Sequence, residues 1–245
     1  MAMFLLIFVC GIFGTAQRTR SLQNIPTVNV AGAIVSISDH IKLVGITLDS
    51  RLTFDTHISA LSKSCYFHIR ALCHIRPALT TDSAKSIACS LIGCHLDYAH
   101  ANLVGISDKN MKRLQRIQNT LAQVVTRQRG RISISKTFKE LHWLPVKLRI
   151  DFKVATVTYK LLESNEPAFL RSRISLRVPR CSLWSSADDR RLDEHPTRTA
   201  SALGHFSALP RPPGWNALPY DIQESSSVSV IKSKLKAHYF QLAFS

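Results

Sequence analysis

The spacing of apolar residues changes near residue 50, and this change constrains the fold more than any other feature of the sequence. Residues 26–48 alternate apolar and polar side chains, which is the period of β-strands. Further along the chain, apolar residues recur every three or four positions, which is the period of amphipathic helices. The sequence therefore predicts a mainly α fold, in which a small N-terminal β element precedes a helical bundle and a loosely structured C-terminal region.

Two patterns predict the β element. The segments PTVNV and AIVSI alternate around Ala31-Gly32, a pair typical of a tight turn. The next segment, IKLVGITLD, is an apolar run over residues 41–49, and we expect it to form one buried strand. Both patterns place the β element within the first 50 residues of the chain.

Four amphipathic helices are predicted between residues 56 and 163. Their expected extents are 56–75, 80–98, 109–127 and the residues after Pro145, because each carries an apolar stripe at helical spacing. The candidate capping residues are Thr53, Asp55, Thr80-Thr81-Asp82 and Ser107-Asp108. The predicted buried stripe of the second helix comprises Ala84, Ile87, Ala88, Leu91 and Ile92. The segment 129–140 is basic, and we expect it to be irregular.

Composition and periodicity divide the chain into four regions. Residues 1–50 hold the β element and an apolar N-terminus, and residues 51–130 hold the helical bundle. Residues 131–163 hold a basic segment and a helix, and residues 164–245 form a loop-rich C-terminal region. Pro, Ser and Arg dominate residues 164–220, and a terminal helix is predicted over residues 228–240.

The N-terminal apolar run, residues 3–13, permits two interpretations. It is too short to span a bilayer as a helix, so a membrane protein is not expected. It fits the core of a signal peptide followed by small residues, although no Lys or Arg precedes it, and it fits a buried strand equally well. We expect an intracellular protein of the nucleus or cytoplasm, with secretion as the alternative if residues 1–16 act as a signal peptide.

Positive charge is the strongest compositional feature. The chain has 32 Lys and Arg against 16 Asp and Glu, a formal net charge of +16. Such a chain is attracted to phosphate backbones or anionic membranes before any specific contact forms. On the third predicted helix, five cations fall within about 100° of arc, away from the apolar stripe. The candidate nucleic-acid-binding residues are these five and two that follow: Lys109, Lys112, Arg113, Arg116, Arg127, Arg129 and Arg131.

A solvated helix face is the alternative interpretation of this basic helix. Solvated faces generally mix charge signs, because pairs at i and i+4 support the helix, whereas this face carries no acid. The pattern therefore favours contact with the phosphate backbone of RNA or DNA, largely independent of base sequence. The oligomeric state stays open.

The sequence predicts no catalytic centre and no cofactor. Six cysteines occur without a C-x-x-C pair, which favours reduced thiols over a structural zinc site. The adjacent acids Asp188-Asp189 superficially resemble the metal-binding carboxylates of polymerases, but arginines follow them and no apolar hairpin flanks them. His57 and His68 lack a third ligand or a nucleophile nearby in the sequence. We expect neither an enzyme nor a small-molecule substrate, and no bound metal.

The order of several short phrases resembles one family, the non-LTR (jockey-like, LINE-type) retrotransposon reverse transcriptases. The resemblance covers the chain from about Gly14 to Phe240. The matching phrases are Val44-Gly45-Ile46-Thr47-Leu48-Asp49, Leu52-Thr53-Phe54-Asp55, Leu72-Cys73-His74-Ile75-Arg76-Pro77, Leu96-Asp97-Tyr98-Ala99, Leu114-Gln115-Arg116-Ile117-Gln118-Asn119, Leu141-His142-Trp143-Leu144-Pro145-Val146, Trp215-Asn216-Ala217-Leu218-Pro219 and residues 232–240. Each phrase alone is weak, and their common order makes the resemblance specific.

The resemblance implies a thumb-like role for the helices. In that family these segments follow the palm active site, so residues 44–48 would lie at the edge of the palm and residues 56–127 would form the thumb. A thumb grips the template–primer duplex. The family's catalytic aspartates precede the matching phrases, which implies an RNA-directed DNA polymerase fragment that binds nucleic acid without turnover. The alternatives are a stand-alone nucleic-acid-binding protein retained by a host genome and a secreted basic protein.

Overall fold

A computed structural model describes residues 27–30, 32–98, 103–128, 133–172, 174–177, 190–193 and 214–245. Within these residues, two small hairpins at the N-terminal side precede a series of helices. The predicted fold class, mainly α with a small N-terminal β element, is therefore confirmed. The predictions that fall on residues 3–13 and on Asp188-Asp189 lie outside the described residues.

The β element consists of two antiparallel hairpins. Strand β1 (Thr27–Val30) pairs with β2 (Ala33–Ser36), and strand β3 (His40–Leu43) pairs with β4 (Ile46–Asp49). Gly32 lies between β1 and β2 with a φ of 87°, as the predicted tight turn requires. The two hairpins belong to separate two-stranded sheets.

The prediction of one continuous strand over residues 41–49 is wrong. Val44 and Gly45 both have positive φ, 47° and 80°, so the chain reverses between β3 and β4. Positive φ at both central residues defines the type I′ turn that suits a tight hairpin. Glycine adopts this conformation readily, whereas valine does so at a cost, and the hydroxyl of Tyr98 donates a hydrogen bond to the Val44 carbonyl. The apolar content of the run concealed the turn.

The helices follow in chain order. Their bounds are α1 (Asp55–Ile75), α2 (Thr81–Ile87), α3 (Cys94–Asp97), α4 (Asp108–Thr126), α5 (Ile134–Leu141), α6 (Val146–Ser164), α7 (Ala168–Arg171), α8 (Tyr220–Gln223) and α9 (Val228–Phe244). A 3₁₀ turn over Arg76–Ala78 follows α1, and a π-helical turn over Ala88–Gly93 joins α2 to α3. Among the described residues, no helix is both long enough and apolar enough to cross a membrane.

The start of α1 differs from the predicted capping. The residue before the helix is Phe54, with a φ of 60°, and neither Thr53 nor Asp55 occupies that position. The Asp49 carboxylate instead accepts hydrogen bonds from the backbone amides of Thr53 (3.0 Å) and Phe54 (2.8 Å) and from the Thr53 hydroxyl (2.9 Å). Burial opposes ionisation, but these hydrogen bonds outweigh it, so the pKa of Asp49 lies below its ordinary value.

The π-helical turn changes which residues of the second predicted helix are buried. Leu91, predicted to lie in the buried stripe, is 48% exposed, whereas Ile92 and Leu96 are buried. A π turn inserts one extra residue, so the apolar stripe continues one position later than a regular helix would place it. The prediction for Leu91 is therefore wrong, and the predicted cap at Thr80 is confirmed because its side chain accepts a hydrogen bond from the Ser83 amide.

Part of the segment predicted to be irregular is helical. Helix α5 occupies residues 134–141, and Thr137, Phe138 and Leu141 on it are buried. Ile134, Phe138 and Leu141 have helical spacing, but the basic residues between them concealed it. The terminal helix is also longer than predicted, since α9 extends to Phe244.

Two hydrophobic clusters organise the described part of the chain. The first is formed mainly by α1, the α2–α3 segment, α4 and α5, around residues such as Ile58, Leu96 and Leu114. The second is formed by the later part of α6 with α8, α9 and the Trp215 segment. Helix α6 contributes Ile150 to the first cluster and Tyr159 to the second, so it joins the helical bundle to the C-terminal elements.

Candidate nucleic-acid interface

Helix α4 is positioned by its apolar side. Ser107 caps the helix, as predicted, by accepting a hydrogen bond from the Asn110 amide. Leu114, Ile117 and Leu121 are buried in the first cluster, where α4 packs against α1. Because this side is fixed in the core, the opposite side of α4 is turned towards solvent.

Three of the predicted cations form the exposed basic face of α4, which we define as Lys109, Lys112 and Arg116. All three side chains are exposed, and none of them forms a hydrogen bond or salt bridge with another described residue. Asp108, at the first position, is the only acid in the helix. The face extends over roughly 10 Å along the helix axis, about the length of three phosphates on one strand.

Arg113 lies at the border of this face. Its side chain is half-buried, and Nη1 is 3.5 Å from Oδ1 of Asn110. Asn110 is buried and attaches α4 to the start of α1, since its Nδ2 donates to the Thr53 carbonyl (3.2 Å) and to the Asp55 carboxylate (2.6 Å). Arg113 therefore stands beside a structural contact, with less freedom to reach a phosphate than the three exposed cations.

Arg127 has a different environment from the one that the helical pattern predicts. Helix α4 ends at Thr126, and Arg127 follows it with a φ of 53°. Its Nη2 donates hydrogen bonds to the carbonyls of Arg76 (2.6 Å) and Pro77 (2.7 Å), at the end of α1. This guanidinium is engaged with backbone oxygens, so we exclude Arg127 from the basic face. Arg129 and Arg131 lie outside the described residues.

Arg76 is a structural residue that the sequence did not single out. It is buried, and its guanidinium donates to the carbonyls of Val125 (2.9 Å and 2.6 Å) and Leu79 (2.7 Å). Burial, and then the nearby charge of Arg127, lower the pKa of Arg76. The two arginines thus fasten the end of α1 to the end of α4. In the sequence, the only local indication of this role is that the arginine directly precedes Pro77.

The two histidines singled out in the sequence have different surroundings. His57 is buried, its Nδ1 accepts a hydrogen bond from the Thr47 amide at 3.5 Å, and burial lowers its pKa. His68 stacks on His95 with the ring centres 5.5 Å apart. Within the described ranges, no three side chains of the types that bind metals are grouped together.

Comparison of the chain with protein-family models, with curated proteins and with solved structures gave no match. The exposed cations of α4 and the ordered phrases of the sequence are therefore the features that bear on function.

Proposed function

We propose that the chain derives from the thumb and post-thumb part of a non-LTR retrotransposon reverse transcriptase and binds nucleic acid without polymerising it. The contact is made by the exposed basic face of α4 with phosphate groups, and it is independent of base sequence. The observation that carries this proposal is the row of three exposed cations, Lys109, Lys112 and Arg116, without a carboxylate partner among the described residues.

The order of the elements supports the derivation. A hairpin containing the first matching phrase, residues 44–49, directly precedes α1, and α1 packs against α4. This order agrees with a palm-edge strand followed by a thumb, as the resemblance implies. The matching phrase over residues 114–119 lies on α4 itself, so the family resemblance and the basic face meet on one helix.

The expected strength of binding follows from the number of phosphate contacts. Each neutralised phosphate contributes about −0.9 to the slope of log affinity against log salt concentration for duplex DNA. Three contacts therefore give a slope of roughly −2.7. Affinity of this kind is weak at physiological salt and rises steeply as salt is removed.

The first experiment is a binding titration of an RNA–DNA duplex across a salt series. The variant Lys109→Gln/Lys112→Gln/Arg116→Gln should lose most of the affinity and most of the salt slope. The matched control is Lys63→Gln/Lys160→Gln/Lys232→Gln, which removes three exposed cations from other helices and lowers the net charge equally. Equal losses in the two variants would show that binding depends on overall charge, and would contradict the assignment of the site to α4.

Primer extension with Mg²⁺ or Mn²⁺ is measured in parallel. We expect binding without extension, because the matching phrases resemble the thumb and post-thumb part of the family, which does not contain its catalytic aspartates. Metal-dependent extension by the purified chain would contradict the absence of turnover. A stand-alone nucleic-acid-binding protein would use the same face. It would bind single strands and the RNA–DNA duplex with equal affinity, whereas a thumb would bind the duplex more tightly.

A further inference from the structure

A cavity lies where α6 meets the α2–α3 segment, the α5–α6 connection and α9. Its volume is about 370 Å³, within the range of about 300–1,000 Å³ that is usual for small-ligand sites. Trp143, Leu144 and Phe152 supply apolar surface to it. Two of these three side chains are aromatic rings, and a flat unsaturated ring is a suitable ligand for such a surface.

Cationic side chains line the same cavity. Lys153 on α6 and Lys236 on α9 both contribute to its wall, because these two helices pack against each other. Both lysines are exposed, and neither forms a salt bridge within the described part of the chain. The neighbouring Lys234, by contrast, has its Nζ 3.9 Å from an oxygen of Asp221.

The acid in the wall of the cavity is neutralised. The Asp97 carboxylate forms a salt bridge with Arg149, and both residues line the cavity. The charges of this pair cancel, so the two lysines leave a net positive charge at the cavity. An apolar, aromatic surface beside two ammonium groups matches a ligand that has a flat ring at one end and a phosphate at the other.

We propose that this cavity binds one nucleoside monophosphate unit, with the base against Phe152 and Trp143 and the phosphate against Lys153 and Lys236. The unit is either a free mononucleotide or an unstacked nucleotide of a single strand, since both present the same chemistry. None of the α4 cations lines the cavity. The ligand is bound and is not transformed. Because this site uses other residues, it goes beyond the proposed backbone contact and does not depend on it.

The π-helical turn adds an independent observation. Cys89 lies in this turn and lines the cavity. Turns of this type occur frequently at functional sites, because the inserted residue departs from the regular helix. Cys89 is also a free, exposed thiol, as is Cys73, which does not line the cavity. The chain therefore contains a reporter thiol at the site and a control thiol away from it.

The experiment measures how fast N-ethylmaleimide modifies each cysteine of the full chain, resolved by peptide mass spectrometry at constant ionic strength. The probes are adenosine monophosphate, adenosine, inorganic phosphate and a short single-stranded oligoadenylate. Adenosine monophosphate should slow the modification of Cys89 at least about fivefold and leave Cys73 unchanged. Protection at a lower concentration of oligoadenylate than of mononucleotide would identify a strand as the source, and the reverse would identify a free nucleotide.

Variants test the two halves of the site. Lys153→Gln/Lys236→Gln should weaken protection by adenosine monophosphate about tenfold and leave protection by adenosine unchanged. The control Lys147→Gln/Lys232→Gln removes two exposed lysines from the same two helices outside the cavity lining, and it should leave both unchanged. Circular dichroism confirms that each variant is folded, and the wild-type protection experiment needs no variant at all.

Three outcomes would overturn the proposal. They are no protection of Cys89 at millimolar mononucleotide, equal protection by inorganic phosphate alone, and equal weakening by the cavity and control variants. The α4 triple variant separates this proposal from the backbone contact, because it should abolish duplex binding while the protection of Cys89 persists. Loss of duplex binding with retained protection would support both proposals and show that the two sites are separate.

Discussion

The two ends of α4 carry the same kind of charge and use it differently. At the N-terminal end, Lys109, Lys112 and Arg116 are exposed and have no salt bridge within the described residues. Beside the C-terminal end, the guanidinium groups of Arg127 and the buried Arg76 donate hydrogen bonds to backbone carbonyls. The charge of an arginine therefore does not identify its role, because the surroundings of a guanidinium decide whether it stays in solvent or donates to the end of a helix.

The largest expected effect is the loss of Arg76. Arg76→Met would remove two hydrogen bonds to the Val125 carbonyl at a buried site and one to the Leu79 carbonyl, so we expect the free energy of unfolding to fall by about 3 kcal/mol. Urea unfolding at pH 7 measures this. The control Arg70→Met, at an exposed position on α1, should change stability by less than about 0.5 kcal/mol. Equal losses of stability in Arg76→Met and Arg70→Met would contradict a structural role for Arg76.

Asp49 is an acidic counterpart of Arg76, because hydrogen bonds fix its carboxylate at the start of α1. Asp49→Asn should lower the free energy of unfolding by about 1–2 kcal/mol at pH 7, since three hydrogen bonds lose their charged acceptor. The pKa of Asp49 is lowered in the folded state, so its stabilisation is complete above its unfolded pKa of about 3.9 and is lost as the pH falls through the folded value.

The pH dependence is measured by urea unfolding of both proteins at pH 7 and pH 3. The difference between wild type and Asp49→Asn should shrink at the lower pH. Asp39, an exposed acid in the same hairpin region, supplies the control Asp39→Asn, which should change the free energy of unfolding by less than about 0.5 kcal/mol at pH 7. A constant difference across the pH range would mean that the ionised carboxylate does not stabilise the start of α1.

A substitution of Arg127 distinguishes a structural guanidinium from one that contacts phosphate. Arg127→Gln should lower the free energy of unfolding by about 1 kcal/mol, because the carbonyls of Arg76 and Pro77 lose a charged donor at a partly exposed site. The salt slope of duplex binding should stay the same. A variant with unchanged stability and a slope reduced by about 0.9 would return Arg127 to the phosphate-binding set.

The smallest effect is expected at Tyr239. Its buried hydroxyl has no hydrogen-bond partner among the described residues, in contrast to the buried guanidinium of Arg76. Burial, and then the charge of Asp151, raise the pKa of Tyr239. Tyr239→Phe should therefore leave the free energy of unfolding unchanged or raise it by up to about 1 kcal/mol. Tyr159→Phe is the matched control and should destabilise, since the Tyr159 hydroxyl donates to the Ser225 carbonyl.

Local patterns predicted much of the fold. The extent of α1, the cap at Ser107 and the buried side of α4 all follow from residues within a few positions of one another. The errors arose where one local signal concealed another. The apolar run hid the turn at Val44-Gly45, and the basic residues hid the stripe of α5. The π turn that exposes Leu91 has no sequence signal of its own.

The sequence by itself determined that a small β element precedes the helices and which side of α4 is polar, because periodicity and capping act over three or four residues. Only the tertiary structure decided the role of Arg127, whose hydrogen-bond acceptor on Arg76 lies 51 residues away. It likewise brought Lys153 and Lys236 to one cavity by packing α6 against α9. Such contacts depend on how helices pack, and no local pattern records which distant residues a side chain will meet.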